Sequence, residues 1–137
     1  MIEKKILIAN DDELAMKSIA RLCRTYSPNL KIDYAQDIDQ AVELAKKNKY
    51  SMIVLDEFYS SEKGYGNEDI DGVEEIRQFD KETPIVLYSC LDSYCTNKQS
   101  KDEAKKYALD AGASYVIDMS KKGAYTLKKK IEEYLGK

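Results

Sequence analysis

Short apolar runs alternate along the whole chain with longer stretches of helical period. Strands are expected at Lys5 to Ala9, Leu30 to Ala35, Ser51 to Leu55, Pro84 to Ser89 and Ser114 to Ile117. The first, third and fourth of these are apolar almost throughout, which is the pattern of central parallel strands covered on both faces. Between them, Leu14, Ile19, Leu22 and Cys23 fall on one face of a first helix, and Leu127, Ile131 and Leu135 on one face of a last. Asp37 with Gln40, Asp71 with Glu74 and Ser100 with Glu103 have the spacing of capping boxes, which places helix starts at each. Gly72 reads as a helix-entry residue without chemistry, and Gly112 as a helix stop. The alternation predicts an α/β fold, doubly wound, with a five-stranded parallel sheet and helices on both faces. Sites in such sheets form outside the carboxyl ends of the strands, where the strand order reverses. Asp11, Asp12, Asp56 and Ser89 all fall at such ends.

Two segments lack a convincing period. Glu57 to Ile70 holds Gly64, Tyr65, Gly66, Asn67 and several charges, and reads as a long loop beside the strand ends. Leu91 to Gln99 is a second polar connection. Together they are expected to form a partner-facing rim.

Composition narrows the function. A chain of 137 residues with 43% hydrophobic content is the size of one ordinary domain, so residues 1–137 are expected to form a single unit without a linker. The net charge of −3 argues against general nucleic-acid binding through a basic surface. Charge is nevertheless unevenly placed: acids dominate from Asp56 to Glu82, and lysines from Lys121 to Lys137. The lysines of the last helix and the eleven tyrosines read as solvated face and filler, with no function assigned. No apolar stretch reaches membrane-span length and no signal-peptide pattern opens the chain, so a cytoplasmic location and no membrane contact are expected. Cys23, Cys90 and Cys95 are odd in number and no histidine is present, which favours free thiols over a disulfide framework or zinc site. A Cys90–Cys95 redox pair is the weaker reading, since its spacing exceeds that of a thioredoxin-type motif.

The candidate chemistry is carboxylate chemistry. Asp56 closes Met52-Ile53-Val54-Leu55, and Asp11 and Asp12 close Ile6-Leu7-Ile8-Ala9. If those runs are neighbouring parallel strands, three carboxylates gather at one sheet edge. Crowded anions call for a cation, so the pattern predicts a hard divalent ion, Mg2+, with Asp56 as a carboxylate nucleophile that the metal organises. The plainer readings are that Asp12 caps the first helix and that Ser89 satisfies a buried backbone group.

The order and spacing of Ile6 to Glu13, Met52 to Asp56, Asp71-Gly72-Val73-Glu74, Ile85 to Ser89 and Ala111-Gly112-Ala113 resemble the receiver domain of two-component response regulators, a flavodoxin-like (βα)5 fold. The resemblance implies that Asp56 accepts a phosphoryl group from a histidine kinase or histidine phosphotransfer protein. It implies Asp11 as the principal Mg2+ ligand, Asp12 as a further one, and the backbone carbonyl of Phe58 as a third source of oxygen. Counting from the strand puts Asn10 at the family's first acidic position; a one-residue shift makes Asp11 and Asp12 the pair. Ser89 matches the switch hydroxyl. The sequence departs from the family where a lysine is usual and Met119 stands, with Lys121 and Lys122 following. Val116 holds the usual aromatic position, and Cys90 the small residue after the switch hydroxyl. The reading implied is a stand-alone receiver, not an enzyme beyond Mg2+-dependent self-phosphorylation and dephosphorylation, acting in phosphorelay signalling through protein contact with a downstream partner. A pseudo-receiver that binds partners without phosphorylation is the alternative. A haloacid-dehalogenase-type phosphatase is weaker, because the Asp-x-Asp arrangement is absent.

Overall fold

The computed structural model describes residues 4–10, 12–55, 59–60, 64–65, 68–89, 98–118 and 122–136. Along the chain run β1 (Lys5–Ala9), α1 (Glu13–Tyr26), β2 (Lys31–Ala35), α2 (Ile38–Lys47), β3 (Met52–Leu55), β4 (Tyr59–Ser60), β5 (Gly64–Tyr65) and α3 (Glu68–Phe79). They are followed by β6 (Ile85–Ser89), α4 (Lys98–Ala111), β7 (Tyr115–Asp118) and α5 (Gly123–Leu135). Five strands form one parallel sheet in the order β2-β1-β3-β6-β7, while β4 and β5 pair antiparallel as a small separate hairpin. The three most apolar runs are therefore the middle of the sheet, as their lack of alternation requires.

Alternation along each strand sends side chains to two cores. Leu7, Ile53, Leu55, Ile85, Leu87 and Val116 meet α2, α3 and α4 on one face; Ile6, Ile8, Met52, Val54, Val86 and Ile117 meet α1 and α5 on the other. Full burial of each large aliphatic side chain contributes about 1.5–3 kcal/mol relative to exposure. Both faces being covered fixes the layer order as helix, sheet, helix, and leaves the strand ends as the places for polar chemistry.

Several expectations shift. The strands keep their places, but β2, β3, β6 and β7 each start one residue later than the pattern suggested, and β7 runs on to Asp118. Leu14 is 74% exposed; the buried stripe of α1 is Met16, Ile19, Ala20 and Cys23, and Leu14 precedes Met16 by two residues, about 200° around the helix. Asp37 caps α2 as expected, its Oδ1 accepting from Gln40 N at 2.8 Å, while Gln40 Oε1 reaches back to Gln36 N at 2.7 Å. Asp71 and Ser100 do not begin helices, because α3 starts at Glu68 and α4 at Lys98. Gly72 accordingly lies inside α3, where a Cβ would come within 2.3 Å of Ile38 Cγ1, so it permits α2 and α3 to approach. The expected loop from Glu57 to Ile70 contains the β4–β5 hairpin and the first turn of α3. Of the second connection, Lys98 and Gln99 belong to α4 and the preceding residues from Leu91 lie outside the described ones.

The amino-end edge of the sheet is pinned by polar contacts. Tyr50 Oη donates to Asp33 Oδ2 at 2.7 Å, and Lys5 Nζ lies 3.2 Å from the same oxygen and 3.0 Å from Asn48 Oδ1. Burial and the Asp33 carboxylate both push the Tyr50 phenol above its ordinary range. In the turn before β6, Asp80 accepts from the backbone N–H groups of Glu82 and Thr83, from the Thr83 hydroxyl at 2.5 Å and from Lys49 Nζ at 3.3 Å. Burial alone would raise the Asp80 carboxyl, but these donors outweigh it and bring the pKa down to about 2. A folded pKa below the unfolded one stabilises the protein above the unfolded value, and that stabilisation disappears as pH falls through the folded value. Asp80 is expected to contribute about 2 kcal/mol at neutral pH and to lose it between about pH 4 and 2. Urea unfolding of the wild type and Asp80→Ala across that window should converge; a constant gap would show that the contribution is not ionic.

A candidate phosphoacceptor edge at the carboxyl ends of the strands

The chain passes from β1 outward to β2, then crosses back to place β3 on the other side of β1. The direction of winding reverses between β1 and β3, which opens a crevice at their carboxyl ends. Ala9 pairs with Leu55 there, so Asn10 and Asp56 each follow a residue of the same rung. Leu55 pairs in turn with Leu87, and Ser89, two residues on, pairs with Asp118 at the end of β7. One edge thus receives the ends of β1, β3, β6 and β7.

The described side chains at this edge are tied down locally. Asn10 is buried, its backbone N–H donates to Ala35 O at 3.0 Å, and its Oδ1 accepts from Asp12 N at 2.7 Å. Asp12 is exposed and caps α1: its Oδ1 accepts from Leu14 N at 2.9 Å and from Ala15 N at 3.5 Å. The capping reading of Asp12 is therefore realised. Oδ2 has no part in these two bonds and would be the oxygen open to a hard cation such as Mg2+. Asn10 Nδ2, by contrast, is a buried donor with no partner among the described residues, and an N–H cannot ligate a cation. A metal here would be held by Asp12 and by the neighbouring acids Asp11 and Asp56, with Asn10 beside it and not a ligand.

Asp11, Asp56, Phe58 and Met119 lie outside the described residues, as do Cys90, Cys95 and Lys121. Ser89 is placed by its backbone at the end of β6. No group of three His, Cys, Asp or Glu side chains able to hold a metal occurs among the described residues. Lys122 is exposed and stands at the N-cap of α5 in the left-handed conformation, φ 54°. Val116 is buried among Leu87, Ala108 and Ala113, so the position where an aromatic was expected is filled by core packing. Cys23 is a free buried thiol, pushed by burial up to about 12 and thus unreactive at neutral pH.

At two edge residues it is the burial that the sequence does not show. Asp118 is buried and directly follows Tyr115-Val116-Ile117, the same signal that singled out Asp56. Asn10 is likewise buried, which its register after β1 does not reveal.

The family model described as the response regulator receiver domain matches residues 6–131. The chain belongs to the response regulator receiver family. Among solved structures, the receiver resembles a CheY-like receiver domain protein from Methanospirillum hungatei at 16% identity and a TM-score of 0.73, covering 98% of this chain and 95% of that one. A two-component response regulator from Clostridium difficile aligns at 21% identity and a TM-score of 0.71, covering 98% of both chains. The chemotaxis response regulator CheY4 of Vibrio cholerae aligns at 18% identity and a TM-score of 0.71, covering 97% of this chain and 99% of that one. No curated protein matches. These structures share the fold, the doubly wound parallel sheet expected from the strand pattern, in the flavodoxin-like form that the resemblance implies. Receiver domains generally depend on Mg2+, and the family implies contact with kinases or phosphotransfer proteins. Among the described residues no helix is long and apolar enough to cross a membrane.

Proposed function

We propose that this receiver accepts a phosphoryl group on Asp56 from a histidine kinase or histidine phosphotransfer protein and passes the signal on by protein contact, in the cytoplasm. The observation that supports the reading is positional: β3 ends at Leu55 beside the winding reversal where this fold binds ligands, and Asp56 is the next residue in the sequence. The Asp56 carboxylate attacks phosphorus, the donor leaves, and water later hydrolyses the acyl phosphate. Mg2+, held by Asp11, Asp12, Asp56 and the Phe58 carbonyl, would neutralise charge between the acids and the incoming group. Ser89 supplies a hydroxyl to a phosphoryl oxygen. The protein's own catalysis is limited to self-phosphorylation and hydrolysis. Incubation with acetyl phosphate and Mg2+, read by intact mass against Asp56→Asn, tests the reading.

A phosphorylation-independent pseudo-receiver is the second reading, favoured by Met119 at the lysine position and by the buried acid Asp118 just before it. Without a lysine, phosphorylation should shift the conformational equilibrium less than usual, since a ligand moves an equilibrium only by its differential interaction with the two states. Met119→Lys is expected to enlarge the amide-spectrum response to beryllofluoride. Lys122→Gly separates the substitute lysine from its backbone strain: relief of a left-handed non-glycine residue should hold or raise stability by up to about 1 kcal/mol. If Lys122 supplies the missing charge, the same variant should shrink the beryllofluoride response; an unchanged response removes Lys122 from the site.

A further inference from the structure

We infer that the Asn10 side-chain amide is a fixed hydrogen-bond donor for anionic oxygen at the carboxyl edge, and that it biases the site toward binding a phosphoryl-type oxyanion over binding a cation. The inference deepens the acceptor reading and rests on it. The amide cannot turn over, because Oδ1 is held by the Asp12 backbone N–H at 2.7 Å and the flipped form would set two donors against each other. Nδ2 therefore always faces the remaining direction as a donor. It is buried and has no acceptor among the described residues. Leaving such a group unpaired is unfavourable enough that buried donors nearly always find a partner. The partner must be an acceptor, and the place is the winding reversal: Asn10 follows Ala9, whose rung partner Leu55 precedes Asp56. Carboxylate or phosphoryl oxygen meets that demand and a metal ion does not.

Charge points the same way. An amide where an acid could stand removes one negative charge from a crowded edge, which weakens attraction for Mg2+ and lessens repulsion of an incoming phosphoryl group. With the lysine position occupied by methionine, a neutral donor just after β1 is a second route to holding an anionic oxygen. Oxyanion binding should then depend less steeply on Mg2+ than in a site ringed by acids.

The probe is beryllofluoride, titrated at saturating and at limiting Mg2+ and followed by amide spectra, with Mg2+ alone titrated separately. Asn10→Asp keeps an oxygen for the Asp12 N–H and so keeps the local fold, while replacing the donor with a charge. It is expected to bind Mg2+ about tenfold more tightly and to bind the mimic only when Mg2+ is saturating. Asn10→Ala should lose about tenfold in mimic affinity with Mg2+ affinity unchanged. Thermal melting establishes that each variant is folded, and if Asn10→Ala is not, Asn10→Asp decides alone. Wild-type affinities for both ligands in the folded variants would overturn the role of Asn10 and leave the acceptor reading standing. A wild type that binds no mimic overturns the acceptor reading, and this inference with it.

Discussion

Acetyl phosphate with Mg2+ is expected to add one phosphoryl group to the wild-type chain and none to Asp56→Asn. Asparagine keeps the size and the hydrogen-bonding oxygen of the aspartate but has no anionic oxygen to attack phosphorus, so the loss should be complete within detection. Chelation of Mg2+ should suppress the gain without unfolding the protein, because the metal serves positioning and charge neutralisation in the transfer. Label retained by Asp56→Asn would move the acceptor elsewhere. A wild type that never gains mass, with either acetyl phosphate or a phosphorylated histidine donor, would favour the pseudo-receiver.

Much of this architecture was legible in the sequence because central parallel strands leave an unambiguous mark. Ile6-Leu7-Ile8-Ala9, Met52-Ile53-Val54-Leu55 and Ile85-Val86-Leu87 are continuous apolar runs too short for helices, and all three lie in the interior of the sheet. The helix starts were less legible. Asp37 and Gln40 cap α2 as their spacing suggests, but Asp71 with Glu74 and Ser100 with Glu103 lie inside helices, where polar residues three apart share a face and their spacing marks no start. The hairpin of Tyr59–Ser60 and Gly64–Tyr65 was beyond reach, since two residues cannot show a period. At the site, acids announce themselves by type. Asn10 does not: its meaning depends on burial and on which of its two polar atoms is already occupied, which only coordinates reveal.

Gly112→Ala is expected to destabilise the protein by about 3 kcal/mol, through two causes that a second mutation separates. Gly112 ends α4 at φ +122°, a region where an L side chain is strained, at a cost of about 1–3 kcal/mol. A Cβ there would also stand 2.6 Å from Arg77 Cγ. Arg77 cannot yield without loss, because its guanidinium ties the end of α3 to the turn before β7: Nε donates to Gly112 O at 2.8 Å and Nη1 to Asp80 O at 3.1 Å. Nη2 donates to Ser114 Oγ at 3.3 Å, and that oxygen accepts from Ile85 N at the start of β6. Displacing the arginine therefore loosens contacts to α3, β6 and β7 together, at about 1 kcal/mol for each hydrogen bond lost. For a domain of this size the sum corresponds to a fall in Tm of roughly 10 °C. Arg77→Ala removes the obstacle but not the backbone strain, so the double variant should be less destabilised than the sum of the singles. Additive losses in urea unfolding would assign the whole cost to the backbone of Gly112, and a Gly112→Ala melting point within a degree or so of the wild type would remove both causes.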